Sequence, residues 1–217
     1  DTMIIEYKGH SCFKITTADK EFLFDPFDLT VGYSKVKTTA DVVLISHDHF
    51  DHNYTDAVTG EYVLVNEPKK YEFGQVKIEG FATYHDDNQG KDRGTNIAFL
   101  LQSEGIRLLH LGDLGCIPGQ EFFEQIGKVD ILMIPIGGNY TIDAKQAVEV
   151  ARKIDANITI PMHYKTSCCT LDIDPVFLFL DASDRWFDKS RLGQGIFEIT
   201  ADNLKKRSRI MVMDHTA

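Results

Sequence analysis

The chain has 217 residues, a formal charge of −10, 43% hydrophobic and 26% charged residues: enough to bury one substantial core in an ordinary globular protein. Such an acidic balance repels phosphate backbones, which argues against DNA or RNA as a partner and for a small substrate. No apolar run approaches the roughly 20 residues of a membrane-spanning helix and no basic segment precedes an apolar stretch, so a cytoplasmic protein without a membrane partner is expected, with homo-oligomerisation left open.

Asp1 and Thr2, ahead of Met3, read as a processing remnant and carry no functional weight. Residues 3–7, 11–16 and 21–24 alternate as short strands separated by the turn signals Lys8-Gly9 and Asp19-Lys20. Residues 41–46 form a continuous β-branched apolar run, the pattern of a strand buried on both faces. Further strands are predicted over 62–65, 75–83, 96–101 and 107–111. Phe122, Phe123 and Ile126 then fall at helical spacing within 118–126, with Gly127 as a stop. A strand over 130–135 leads to a helix over 143–154 whose face is Ala144, Ala147, Val148, Ala151 and Ile154. A strand over 157–160, a helix over 174–180 and a closing strand pair, 195–200 with 209–212, complete the reading. No repeat or linker divides the chain, so one domain spanning 1–217 is expected. Strands followed by strand-helix alternation predict an α/β fold, a four-layer αββα sandwich of two mixed sheets flanked by helices. The cysteines Cys12, Cys116, Cys168 and Cys169 show no CxxC spacing and read as reduced thiols.

Chemistry concentrates in Ser46-His47-Asp48-His49-Phe50-Asp51-His52, which holds three of the eight histidines directly after a predicted buried strand. Imidazole and carboxylate are ligands that zinc and related divalent ions accept. His47 and His49 lie two apart, so in extended backbone they project the same way and can grip one ion. Asp51 and His52 follow, where a turn could aim them at a second. This segment alone leaves an ion short of ligands, and the ends of other strands supply candidates in His85, Asp113 and His163. Residues at the ends of different buried strands gather at one sheet edge.

With these residues in view, the chain resembles the metallo-β-lactamase superfamily, whose signature is His-x-His-x-Asp-His after a strand, then a His, an Asp and a final His. The positions here are His47, His49, Asp51, His52, His85, Asp113 and His163. Several further stretches are similar to the metal-dependent hydrolase branch around L-ascorbate-6-phosphate lactonase. They include Gly9-His10-Ser11-Cys12-Phe13, Phe24-Asp25-Pro26-Phe27, His85-Asp86-Asp87 with Arg93 to Asn96, His110 to Gly115, Pro135 to Gly138 with Tyr140 to Asp143, and Pro161 to Thr166. The resemblance implies His47, His49 and His85 on one ion, Asp51, His52 and His163 on the other, and Asp113 between them. It departs from the branch at Cys116 and Asn139, where histidines are frequent, which bears on substrate contacts.

The expected activity is metal-dependent hydrolysis of a small ester, lactone or phosphorylated metabolite by hydroxide activated between two ions, zinc first and manganese second, with Asp51 orienting the water. Asp25 is expected to fix a ligating imidazole, with His10 and His110 in polar pockets beside the site. Arg93, Tyr140, Tyr164 and Lys165 are candidate contacts for a substrate anion, and Gly137-Gly138 could allow a close backbone approach. Two rivals stay open: a phosphodiesterase acting on RNA or a phospholipid head group, and a metal-binding module without turnover.

Overall fold

Strict alternation of buried and half-buried residues makes the first strand, β1 (Met3–Gly9), one side of a sheet whose other face is partly wet. The computed structural model describes residues 1–204 and 208–217. After β1 come β2 (Cys12–Thr16), β3 (Glu21–Phe24), β4 (Thr38–Thr39), β5 (Val42–Leu44), β6 (Val58–Thr59), β7 (Val63–Val65), β8 (Lys70–Phe73), β9 (Val76–Tyr84), β10 (Thr95–Ser103) and β11 (Ile106–His110). Helices then enter: α1 (Gln120–Ile126), β12 (Ile131–Pro135), α2 (Ala144–Ile154), β13 (Ile158–Met162), α3 (Val176–Ser183), β14 (Asp188–Arg191), β15 (Ile196–Ile199) and β16 (Arg209–Val212).

A six-stranded sheet has the order β15-β1-β2-β3-β5-β7, and an eight-stranded sheet the order β14-β16-β13-β12-β11-β10-β9-β8. Both are mixed. Antiparallel β1, β2 and β3 give way to parallel β3, β5 and β7, and antiparallel β8 to β11 give way to parallel β11, β12, β13 and β16. The parallel half coincides with the helices because a parallel pair needs a long crossover: α1 joins β11 to β12 and α2 joins β12 to β13.

Three apolar clusters define the layers. One lies between the sheets and includes Phe13, Phe24, Phe99, Leu108 and Met133. A second packs α1, α2 and α3 on the outside of the eight-stranded sheet through Phe122, Ala147, Ala151 and Phe179. The third, with Phe27, Val31, Val43 and Ala57, covers the outside of the six-stranded sheet with loops and the 3-10 turns Leu29–Val31 and Thr55–Ala57. The expected α/β sandwich of two mixed sheets is present, with the three α-helices on one side. In α2 the predicted apolar face is buried, and Asp143 and Gln146 form a reciprocal capping box at its start.

One pairing differs from the sequence expectation. β15 and β16 do not close on each other: β15 pairs antiparallel with β1 in the six-stranded sheet, and β16 lies between β13 and β14 in the other. Both segments alternate correctly, but alternation does not name a partner strand. The edge strand β14 (Asp-Lys-Ser-Arg) carries no apolar signal and is exposed throughout, whereas the edge strand β8 packs Tyr71 and Phe73 against the core; a short charged edge resists further pairing.

Candidate metal centre

Strand direction gathers the site. Within the six-stranded sheet β1, β3 and β5 run the same way, and the chain leaves their carboxyl ends at His10, Asp25 and the segment 46–52. In the eight-stranded sheet β9, β11 and β13 run together and deliver His85, Asp113 and His163. The two sheets are tied at this edge by the His163 N–H donating to His10 O (2.9 Å) and the Ile97 N–H donating to Ser46 O (2.8 Å).

Asp113 lies at the centre. Its Oδ2 is 3.3 Å from His47 Nε2, 3.1 Å from His52 Nε2 and 3.1 Å from His85 Nε2, while Oδ1 is 3.3 Å from His163 Nε2. Yet the Nε2 atoms of these four histidines and Oδ1 of Asp113 are buried without a partner in hydrogen-bonding geometry. Buried polar atoms are nearly always paired, so close approach without hydrogen-bond alignment is what atoms aimed at a common third body show. Ligand-capable atoms fall within 4.8 Å of one another in a set of His47, His49 and His85 and in a set of His10, Asp51, His52 and His163. The nitrogen and carboxylate donors suit divalent cations, and the cluster can chelate two of them.

The surrounding hydrogen bonds fix two of the imidazoles, His52 and His47, in the tautomer a metal needs. Asp25 accepts from Ser46 N (2.8 Å), from Ser46 Oγ and from His52 Nδ1 (2.8 Å), which leaves the His52 Nε2 lone pair free. Because Ser46 Oγ spends its only proton on Asp25, the 2.8 Å contact with His47 Nδ1 is one in which the imidazole donates, and His47 Nε2 is freed in turn. His10 Nε2 donates to Asp51 Oδ2 (2.8 Å), and Asn96 Oδ1 accepts from the Asp113 N–H (2.9 Å). Three of these residues have left-handed backbone: His10 (φ 52°), Asp25 (φ 44°) and His163 (φ 55°). Non-glycine residues adopt it infrequently, and at functional sites the surrounding packing can impose it. Gly137 permits the last turn, since a Cβ there would sit 2.2 Å from His163 O.

Charge and burial compete at each group. Burial opposes ionisation of Asp113, but His163, His52 and His47 around it outweigh that and hold its carboxyl well below the usual range; Asp51 is likewise held down, against burial, by His52 and His10. For His52 burial favours the neutral ring, but Asp113, Asp51 and Asp25 outweigh it and raise its pKa well above the ordinary value. Burial and neighbouring histidines lower His47 and His49, and burial with His163 brings His10 down to about 4.

A cavity of about 460 Å³ opens on the cluster, bordered by His49, Asp51, His85 and Asp113 on the metal side and by Phe50, Arg93, Tyr140 and Leu171 around them. A larger surface hollow of about 580 Å³ between α2 and α3, lined by Lys145, Arg152 and Trp186, holds none of the cluster residues.

Most of the sequence-predicted site residues come together here, and some do not. His47 and His49 approach the same group, but not by strand alternation: β5 ends at Leu44, and the His49 N–H donates back to His47 O (3.1 Å) in a tight turn that sets their rings 4.7 Å apart. His110 spends both ring nitrogens on backbone, the Ser11 carbonyl and the Gly112 N–H, and stacks on Phe24 in the core. Tyr164 does not line the cavity: it is buried in the cluster under the helices, where burial pushes its hydroxyl up to about 12. Lys165 also stays off the cavity, with Nζ donating to Leu171 O (2.8 Å). In both cases side-chain direction after β13 decides, which residue type does not reveal. Asn139 bonds Asp172 O, and Cys116 lines a neighbouring hollow with Tyr84 and Phe122. Sequence reasoning did not single out Phe50 or Leu171 at the cavity, nor Asp86, whose carboxylate accepts from the N–H groups of Asn88, Gly90, Asp92 and Arg93. The signal for Asp86 was an aspartate just before a polar, glycine-containing loop.

The beta-lactamase superfamily domain matches residues 4–163, ending on the last histidine of the cluster. A UPF0173 metal-dependent hydrolase of Carboxydothermus hydrogenoformans is 32% identical over 76% of this chain and 85% of the relative, and one of Thermoplasma volcanium is 32% identical over the same shares. A Thermotoga maritima structure of the metallo-beta-lactamase superfamily aligns with a TM-score of 0.81 at 36% identity, covering 99% of this chain and 100% of that one. With a sandwich of two mixed sheets and a buried histidine-aspartate cluster at one edge, this chain belongs to the metallo-β-lactamase superfamily and is one of its metal-dependent hydrolases.

Proposed function

We propose that the chain is a single metallo-hydrolase domain acting in the cytoplasm on a small ester, lactone or phosphorylated metabolite. In this reading His47, His49 and His85 hold one ion, Asp51, His52 and His163 hold a second, Asp113 serves both, and zinc occupies the pair ahead of manganese. The reading rests on the buried, unpartnered Nε2 atoms around Asp113. Bound divalent ions supply Lewis acidity: they bring the pKa of water from near 16 towards neutrality and polarise the carbonyl or phosphoryl oxygen under attack.

The chain's own residues do the rest. Asp51 borders the cavity with Oδ2 held by His10, so its carboxylate stays ionised and can orient water. Asp25 and Ser46 keep His52 and His47 in the correct tautomer, which spares the site reorganisation during the reaction. Arg93 and Tyr140, which line the cavity, are the substrate contacts in this reading. Four free thiols suit a reducing compartment. The resemblance of several stretches to the ascorbate-6-phosphate lactonase branch puts phosphorylated lactones among the substrates to test. Elemental analysis of protein made without a metal-binding tag, then turnover of phosphorylated lactones, esters and diesters, tests the reading. Activity should vanish with EDTA and with Asp51→Ala. Less than one equivalent of any transition metal after reloading would rule it out.

A further inference from the structure

Building on the hydrolase reading, we propose that the substrate is an amphipathic anion: an apolar or aromatic body bearing one carboxylate or phosphate, its charge read by Arg93 and its body covered by Phe50, Tyr140 and Leu171. Outside the cluster that would hold metal, these four residues and Asp48 line the cavity. Phe50 is 52% and Tyr140 37% exposed, so apolar surface beside the reacting centre is left bare for a ligand to cover. Phe50 stands between His49 and Asp51 in the chain, which puts an apolar surface immediately next to candidate ligands. Outside the metal cluster Phe50, Leu171 and the ring of Tyr140 give the lining its apolar surface, and Asp48, Arg93 and the Tyr140 hydroxyl are its polar groups.

Arg93 is the one cation of the lining. Among the described residues no carboxylate pairs with its guanidinium. Its neighbour is the Tyr140 ring, 5.5 Å from the guanidinium carbon, which orients the group without neutralising it. Its backbone is held as well. Asp86 Oδ2 accepts the Arg93 N–H (2.8 Å), and Gly94 O accepts the N–H of His85 (3.0 Å), which ties the arginine loop to a residue of the cluster. Arg93 is matched to one anionic group, while Asp48, the other charged residue of the lining outside the cluster, accepts a hydrogen bond from Asn53 Nδ2. Carboxylate and phosphate share the chemistry that a guanidinium reads.

The test is calorimetric titration of metal-loaded protein with 4-phenylbutyrate, 3-phenylpropyl phosphate and the uncharged 4-phenylbutanol. Wild type should bind at least one of the two anions about tenfold more tightly than the alcohol. Arg93→Gln should remove most of that preference and change alcohol affinity by less than about twofold, Arg93→Lys should restore part of it, and Phe50→Ser should weaken all three ligands together. The anion that loses more on Arg93→Gln identifies the group. No binding of either anion to fully metallated wild type, unchanged anion affinity in Arg93→Gln, or equal losses for anion and alcohol would overturn the proposal. Metal content of the same samples separates the two failures: full metal with Arg93-independent binding sinks the substrate class alone, whereas a wild type that takes up no metal sinks the hydrolase reading and this inference with it.

Discussion

The two halves of the cluster are built differently. His47, His49 and His85 come from one tight turn and one strand end with ordinary backbone angles, and His49 is only half-buried beside the cavity. His10, Asp51, His52 and His163 are all buried; two of them hold left-handed backbone, the His10 and His163 rings lie tilted with centres 4.1 Å apart, and Asp51 and His52 are braced by His10 and Asp25. Strain of this kind costs about 1–3 kcal/mol per residue and persists only where packing over-determines it. The open half borders the cavity through His49 and His85, whereas the closed half meets it only through Asp51.

Asp113 abolishes the distinction because it touches histidines of both halves. Asp113→Ala should therefore have the largest effect, a loss in kcat on the order of 10³ with depletion of both ions, read by steady-state kinetics and elemental analysis. Retention of one full equivalent would show that the halves bind independently.

Metal-free protein should sharpen the comparison through pH. His52, in the closed half, and His85 have raised pKa values, so in the fold they hold protons that the unfolded chain releases near 6.5. Their contribution is fully present below that value and is lost as pH rises through the folded one. His10, His47, His49 and His110 are lowered, so their contribution is present above 6.5 and is lost as pH falls through their folded values, about 4 for His10. Stability without metal should peak near the ordinary histidine pKa and fall on both sides, by about 1.4 kcal/mol per pH unit for each proton. Metal on the Nε2 atoms replaces the protons on His52 and His85, so the alkaline fall should disappear on loading. Identical alkaline slopes for metal-free and metal-loaded protein in denaturant titrations would contradict this.

The smallest effect isolates the strain. At His163 a glycine adopts φ 55° without the penalty an alanine incurs, so metal-free His163→Gly should be more stable than His163→Ala by about 1 kcal/mol. The same pair at His49, which lacks a positive φ, should favour alanine or show no difference.

Local chemistry was legible in the sequence. Alternation and helical spacing placed β1 to β3, β9 to β13 and α2 close to where they lie, and the crowding of histidine and aspartate at strand ends pointed to His47, His49, Asp51, His52, His85, Asp113 and His163, which the fold brings together. These are properties of neighbouring residues, set by the periods of strand and helix and by donor atom type. What only the tertiary structure decided depends on contacts between distant segments. It separated β15 and β16 into different sheets, because apolar alternation does not specify a partner. It buried Tyr164 and turned Lys165 onto a carbonyl, left Arg93 facing the cavity, and imposed left-handed backbone on His10, Asp25 and His163, since no residue type announces where its side chain will point once two sheets close on it.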